Sequence, residues 1–239
     1  MIIIPARLSS SRLPNKVLAE IENKPMIIWC AQVASQVDDV CIATDSQEVI
    51  EVAKKYGFNA VMTSDKHQSG SDRIKEAADI LGLKDDDLVI NMQGDEPFLE
   101  PEILNEVKNK LLEIKKRDFV MVSCYKEISE IQAEDPNLVK VILDKNGDAI
   151  YFSRSKIPYN RDNTPHQYFG HIGIYGFDKK SLDMFVKMQG EIEHIEKLEQ
   201  LRVIENGKKI AMIKVKTQSF GIDTKDDLEK ARAYAKSRN

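Results

Sequence analysis

The sequence predicts an α/β fold, a largely parallel sheet with helices on both of its faces. Three observations carry that prediction. Short apolar runs recur at 2–4, Val40–Thr44, 60–62 and 88–92, and each reads as a strand, the first two as buried strands. Stretches of helical period lie between and after them, at 25–36, 47–56, 72–81 and 101–116. Strand and helix alternate at the spacing of right-handed crossovers, which places helices on both faces of a parallel sheet.

The first strand empties into a loop with three consecutive serines and three cations, Arg7, Arg12 and Lys16. The loop has no Gly-Lys-Ser/Thr and no Gly-x-Gly-x-x-Gly, so it is neither a Walker loop nor a dinucleotide fingerprint. It reads either as an anion site at the carboxyl end of a strand or as a solvated cationic surface loop. In 25–36, Met26, Ile27, Trp29, Cys30 and Val33 share a helical period behind Pro25, which suits a first helical position. The strand Val40–Thr44 runs into Asp45-Ser46, a helix start, and Gly57 stops the helix that follows. After the strand 60–62 comes a polar loop, 63–71, and the helix 72–81 stops at Gly82.

The rhythm changes near residue 118. Segments 119–125, 139–143 and Ala149–Ser153 read as strands, the last two joined by a Lys145-Asn-Gly147 hairpin turn. Residues 154–168, rich in Pro, Asn, Asp and Arg, read as a long functional loop. A strand at 168–177, a helix at 179–188, one helix at 195–205 and a strand at 210–214 follow. Asp223 or Thr224 then starts a closing helix that ends near Lys236.

With 239 residues the chain suits one large domain, and 42% apolar with 31% charged residues fits a globular protein. A net charge of −4 excludes a bulk nucleic-acid partner, so local cations are read as sites for small anions. Cys30, Cys41 and Cys124 are far apart and form no Cys-x-x-Cys, which argues against a disulfide framework or zinc site and for buried thiols. No signal peptide and no apolar run of membrane length are found, so a cytoplasmic protein without membrane insertion is expected.

Chemistry concentrates in a few turns. Gln93-Gly-Asp-Glu-Pro97 follows the fourth strand, where a carboxylate of Asp95 or Glu96 can hold a hard divalent cation, or the two acids favour the next helix dipole. Gly221-Ile-Asp-Thr-Lys225 sets Asp223 at another strand-to-helix turn, as a cap, a metal ligand or both. Two carboxylates converging on one magnesium would suit phosphoryl or nucleotidyl transfer. In His67-Gln-Ser-Gly-Ser-Asp-Arg73 the small residues admit a planar ring and Arg73 can read a base carbonyl, although a capped loop explains the same residues. Arg154 after a strand can clamp a carboxylate. His171 and Tyr175 share a strand face with Gly173, as ligands or as structure, and Glu199 with Gln200 is either functional or the wet face of a helix.

In this order, IIIPARLSSSRLPNK, KPMI, ATD, HQSGSDR, NMQGDEP, NLVKVILD, YFSRSKIP, HIGIYGF, EHIEKLEQLR and GIDTKDDLEKAR closely resemble the 3-deoxy-manno-octulosonate cytidylyltransferase family over nearly the whole chain. The resemblance implies a nucleotide-diphospho-sugar transferase fold, a three-layer α/β/α sandwich with a mixed, mostly parallel sheet and a Rossmann-like nucleotide half. It implies transfer of CMP from CTP to 3-deoxy-manno-octulosonate (Kdo), release of pyrophosphate, a magnesium cofactor and a homodimer. Residues 1–117 would be the nucleotide half, 118–215 the sugar and dimerisation part, and 216–239 the returning metal-site turn and last helix. Arg7 and Lys16 would hold the triphosphate with Ala6, Ser10, Arg12 and Gln93 nearby, and Ser69 and Arg73 would flank the cytosine. Asp95 and Asp223 would bind magnesium, and with Arg7 and Lys16 would form the catalytic set. Arg154, His171, Tyr175, Glu199 and Gln200 would face the sugar.

Gln189-Gly190-Glu191, Ser219-Phe220-Gly221 and the short loop from Asn160 to Gln167 depart from the pattern, on the side expected to border the sugar. Three rival readings are a cytidylyltransferase for another acidic sugar, a glycosyltransferase of similar fold, and a nucleotide sensor.

Overall fold

The structure is a computed structural model, described here over residues 1–8, 13–67, 69–114 and 119–237. In chain order the first half holds β1 (Ile2–Ala6), a single 3-10 turn (Lys16–Leu18), β2 (Glu20–Ile21), β3 (Lys24–Pro25) and α1 (Met26–Ala34). These are followed by β4 (Val40–Thr44), α2 (Gln47–Lys55), β5 (Asn59–Met62), α3 (Gly70–Ile80), β6 (Leu88–Asn91) and α4 (Pro101–Ile114). The second half holds β7 (Phe119–Ile128), α5 (Glu130–Ala133), β8 (Lys140–Leu143), β9 (Ala149–Ser153) and β10 (Tyr168–Asp178). Then come α6 (Lys179–Lys187), α7 (Ile192–Glu196), α8 (Leu201–Glu205), β11 (Lys209–Lys214) and α9 (Lys225–Lys236).

The main sheet runs β11-β7-β10-β6-β1-β4-β5, with β8 attached to β10 and β9 to β8. β1 pairs in parallel with β4 and β6, while β10 is antiparallel to both β6 and β7. The sheet is therefore mixed and mostly parallel, as expected. The pleat of β1 divides the core: Ile2 and Ile4 pack with Ile27 of α1 and Leu104 and Val107 of α4. Ile3 packs on the other face with Ile74 and Ala77 of α3 and Leu182 and Phe185 of α6. Two apolar layers on opposite faces of one sheet make the three-layer sandwich, and they explain why β1, β4 and β6 read as continuous apolar runs.

A smaller third core joins the ends of the chain. Leu13, Ile21, Met26, Phe98, Ile222, Leu228 and Ala231 are buried together, and the Phe98 ring lies 4.8 Å from Tyr234 and 5.9 Å from Phe220. This cluster seats α9 and the turn before it against residues from the first half of the chain.

Several expected elements differ. The helix expected at 195–205 is two, because Lys197 adopts a left-handed conformation (φ 55°) between α7 and α8. The carboxylate of Glu196 draws the chain away by accepting from Ser153 Oγ (2.6 Å) and from the Arg154 amide (2.9 Å). A buried Glu193–Arg202 ion pair spans the joint, so the apolar pattern continues while the backbone breaks. The first helix begins at Met26, since Pro25 pairs with Glu20 in the β2–β3 ribbon. Of the two candidate caps of α9, Thr224 is the one used: it accepts from the Asp227 amide and receives a carboxylate in return. The short α5, with a Ser129/Gln132 capping box, has no counterpart among the expected elements. Cys30, Cys41 and Cys124 are buried free thiols. Among the described residues, no helix is long and apolar enough to cross a membrane.

Candidate active site

The carboxyl ends of β1 and β6 leave the sheet side by side, Met92 N donating to Ile3 O at 3.4 Å. Their loops then cross so closely that a Cβ on Gly94 would lie 2.9 Å from the Pro5 carbonyl oxygen. Only glycine fits there, which fixes the turn that presents Asp95. The turn of the last core meets it from the other side, where Ile222 N donates to Asp95 O at 3.0 Å. Ile222 is fully buried, and its neighbour Asp223 is thereby brought beside Asp95.

Lys16 closes this junction. It follows Asn15, whose φ of 54° turns the chain into the single 3-10 turn. Its Nζ lies 2.6 Å from Asp95 Oδ2 and 2.9 Å from Asp223 Oδ1. Burial alone would lower the Lys16 pKa, but the two carboxylates outweigh it and hold the ammonium above its ordinary value. The carboxylate pair therefore already encloses one cation. Among the described residues no group of three or more His, Cys, Asp or Glu stands ready to ligate a metal. Asp95 and Asp223 are oxygen donors of the kind a hard divalent cation takes, and in this structure the Lys16 ammonium lies between them.

A cavity of about 400 Å³ opens over this junction and extends to α3, lined by Pro5, Arg7, Lys16, Gln93 and Asp95 at one side and by His67, Ser69, Gly70 and Arg73 at the other. Arg73 is buried, with Nη2 donating to Asp45 Oδ2 and Nη1 to Thr63 Oγ1, each at 2.7 Å. Ser69 caps α3, accepting from the Asp72 amide at 3.1 Å. The Ala6 side chain is fully buried opposite Thr44, and its neighbours Pro5 and Arg7 line the cavity. Ser10 and Arg12 lie outside the described residues.

The residues expected at the sugar do not form one group. Glu199 lines the same cavity, next to the Ser71 hydroxyl, and burial raises its pKa. Its Oε2 is buried without a hydrogen-bond partner. His171 lines a second cavity of about 640 Å³ with Glu96, Lys126 and Gly173, and Asp223 borders both. The His171 ring is tied on both sides: Nε2 lies 2.8 Å from Ser123 Oγ and Nδ1 lies 3.5 Å from Gln200 Nε2. Ser123 Oγ in turn donates to Ile174 O (2.8 Å), and Tyr175 Oη donates to Gln200 Oε1 (3.3 Å). Burial lowers the His171 pKa to about 3 and raises that of Tyr175. Arg154 is placed elsewhere, its Nε donating to Glu196 O (2.7 Å) and its Nη1 to Pro136 O (3.1 Å). It borders neither cavity.

Two groups were not singled out as site residues from the sequence. Glu96 lines the second cavity, and burial, reinforced by the charge of Asp95, pushes its pKa up to about 7. His67 lines the first cavity with Glu76 behind it (2.5 Å). The paired acids in Gly-Asp-Glu were a signal for the former; nothing in the sequence joined His67 to Glu76.

A family model described as Cytidylyltransferase matches residues 1–210. The chain is 51% identical to the 3-deoxy-manno-octulosonate cytidylyltransferase of a Nitratiruptor species, over 98% of each. It is 49% identical to that of Wolinella succinogenes, over 97% of each. A solved structure of CMP:2-keto-3-deoxy-manno-octonic acid synthetase complexed with CTP superposes with a TM-score of 0.93 at 36% identity, covering 100% of this chain and 98% of that one. The chain belongs to the cytidylyltransferase family, in its 3-deoxy-manno-octulosonate branch, and is a nucleotidyltransferase.

Proposed function

We propose that this enzyme transfers CMP from CTP to Kdo with release of pyrophosphate, in the cytoplasm, as a homodimer that requires magnesium. The observation that carries the reading is the cavity that gathers Arg7, Lys16, Asp95 and Asp223 below the polar pocket of Ser69 and Arg73. Cations and carboxylates at one end suit a metal-bound triphosphate, and small residues at the other suit a planar base. The relatives' names and the CTP-bound structural relative support the same substrates.

In this reading Arg7 and Lys16 neutralise charge on the phosphates as a sugar hydroxyl attacks the α-phosphorus in line and pyrophosphate departs. Asp95 and Asp223 would hold magnesium, which when bound supplies further charge neutralisation across the phosphates. No covalent intermediate with a side chain is needed. Glu199, which lines the cavity, would accept a hydrogen bond from a hydroxyl of the sugar. The strongly exposed Ile131, Tyr159 and Ile195, all on the 118–215 part, offer apolar surface for a second copy.

Pyrophosphate release from CTP, measured with a panel of acidic sugars, tests the proposal. Release with Kdo and magnesium, absent on chelation, is the expected result. Turnover with a different acidic sugar alone would reassign the acceptor, and silence with all of them would overturn the reading.

A further inference from the structure

The triphosphate chemistry leaves one ionisable group of the cavity wall, His67 with Glu76 behind it, without a task. His67 lies between β5 and α3, and Glu76 projects from the second turn of α3. The imidazole Nε2 is 2.5 Å from Glu76 Oε2, and the same oxygen accepts from the Ser64 amide at 2.8 Å. The His67 side chain keeps 22% exposure while lining the cavity. Burial opposes ionisation of Glu76, but the Ser64 amide, the His67 ring and the nearby Arg73 together hold its pKa below the ordinary value.

An ionised carboxylate has no proton to give, so the ring atom that meets it must be the N–H. In the neutral imidazole this fixes the proton on Nε2 and leaves Nδ1 as a lone-pair acceptor. The carboxylates of the same cavity wall lie elsewhere, Asp95 and Asp223 at Lys16 and Glu199 with a buried Oε2. Arg7, Lys16 and Arg73 only donate, Ser69 is engaged with Asp72, and the Gln93 carboxamide can turn to present either oxygen or nitrogen. Cytosine carries an amine donor at the position where uracil carries a carbonyl acceptor.

Building on the CTP reading above, we propose that His67, held in one tautomer by Glu76, selects cytosine over uracil by accepting a hydrogen bond from the base amine. His67 is the group that touches the base, and Glu76 is a positioning residue. With uracil, two acceptors would face each other and leave both unpaired, a mismatch that discriminates by roughly tenfold or more.

The test compares binding of CTP and UTP by titration calorimetry at pH 8 for the wild type, His67→Ala and Glu76→Gln, with folding checked by circular dichroism. The wild type is expected to prefer CTP by at least about tenfold. His67→Ala should bring the ratio close to one, chiefly through weaker CTP binding, and Glu76→Gln should lower it part of the way. A folded His67→Ala that keeps the wild-type ratio overturns the inference. If that variant fails to fold, an unchanged ratio in Glu76→Gln overturns it equally. A wild type that binds neither nucleotide, or shows no preference for CTP, refutes the CTP reading instead, and this inference with it.

Discussion

Replacing His171 with leucine probes whether its ring is a buried neutral link or an accessible titrating group. The ring is 8% exposed, between Phe152 at 4.9 Å and Tyr175 at 5.6 Å, and it joins Gln200 to Ser123. Its folded pKa is lowered to about 3 by burial, against about 6.5 in an unfolded chain. Between those two values the unfolded state binds a proton that the folded state refuses. Stability is therefore full above about pH 6.5 and is lost as pH falls through the window, by about 1.4 kcal/mol per pH unit. Between pH 6.5 and 4.5 this amounts to about 3 kcal/mol. Leucine removes the titration and leaves Gln200 and Ser123 each short of a partner, a cost of about 1–3 kcal/mol at pH 8.

Urea unfolding of both proteins from pH 8 to 4.5 measures the gap in stability. The gap should be widest at pH 8 and should narrow or reverse as the solution is acidified. Taking the difference matters, because Glu96, with its pKa pushed up to about 7, has the opposite dependence. Its folded state keeps a proton that the unfolded chain has lost, so its contribution falls as pH rises from about 4.5 to 7. A gap that stays constant across the range would show that the His171 ring titrates as it does in water, and the buried-link reasoning would fail.

Further outcomes follow from the same geometry. Asp95→Asn or Asp223→Asn removes half of the carboxylate pair around Lys16 and should lower turnover by roughly 100-fold or more while CTP affinity falls much less. Near wild-type turnover at limiting magnesium would discard the two-carboxylate site. Gly94→Ala would set a methyl 2.9 Å from a backbone oxygen that cannot swing aside. It should cost about 1–3 kcal/mol in thermal unfolding and depress turnover with it. Lys140 is fully buried, and its Nζ donates to the carbonyls of Asp135, Leu138 and Arg154 at 2.6–2.7 Å. Lys140→Met leaves three acceptors unfilled and should destabilise by about 3 kcal/mol or more in urea. A change below about 0.5 kcal/mol would mean that those carbonyls find other donors.

Much of the fold could be read from local pattern, because buried strands of a parallel sheet are apolar on both faces and helices between them repeat every third or fourth residue. The break at Lys197 could not. Leu198, Leu201 and Val203 continue the apolar run, and only Glu196, fastened to Ser153 and Arg154 from a distant strand, stops the helix. Likewise the Cβ space beside Gly94 depends on Pro5, far away along the chain. The residues expected at the sugar show the same limit. Alternation along β10 places His171 and Tyr175 on one face, but it does not reveal that Gln200 ties the two together.

The sequence by itself determined the α/β class, the strand-end turns that carry Lys16, Asp95 and Asp223, and the family, since these depend on residue type and short-range spacing. Tertiary structure alone decided that Lys16 lies between the two carboxylates, that Ala6 turns inward, and that Arg154 is engaged with main-chain carbonyls outside both cavities. It also set the His67 ring against Glu76. Each of these is a contact between segments that become neighbours only when β1, β6 and the third core pack, and no local pattern encodes the distance between them.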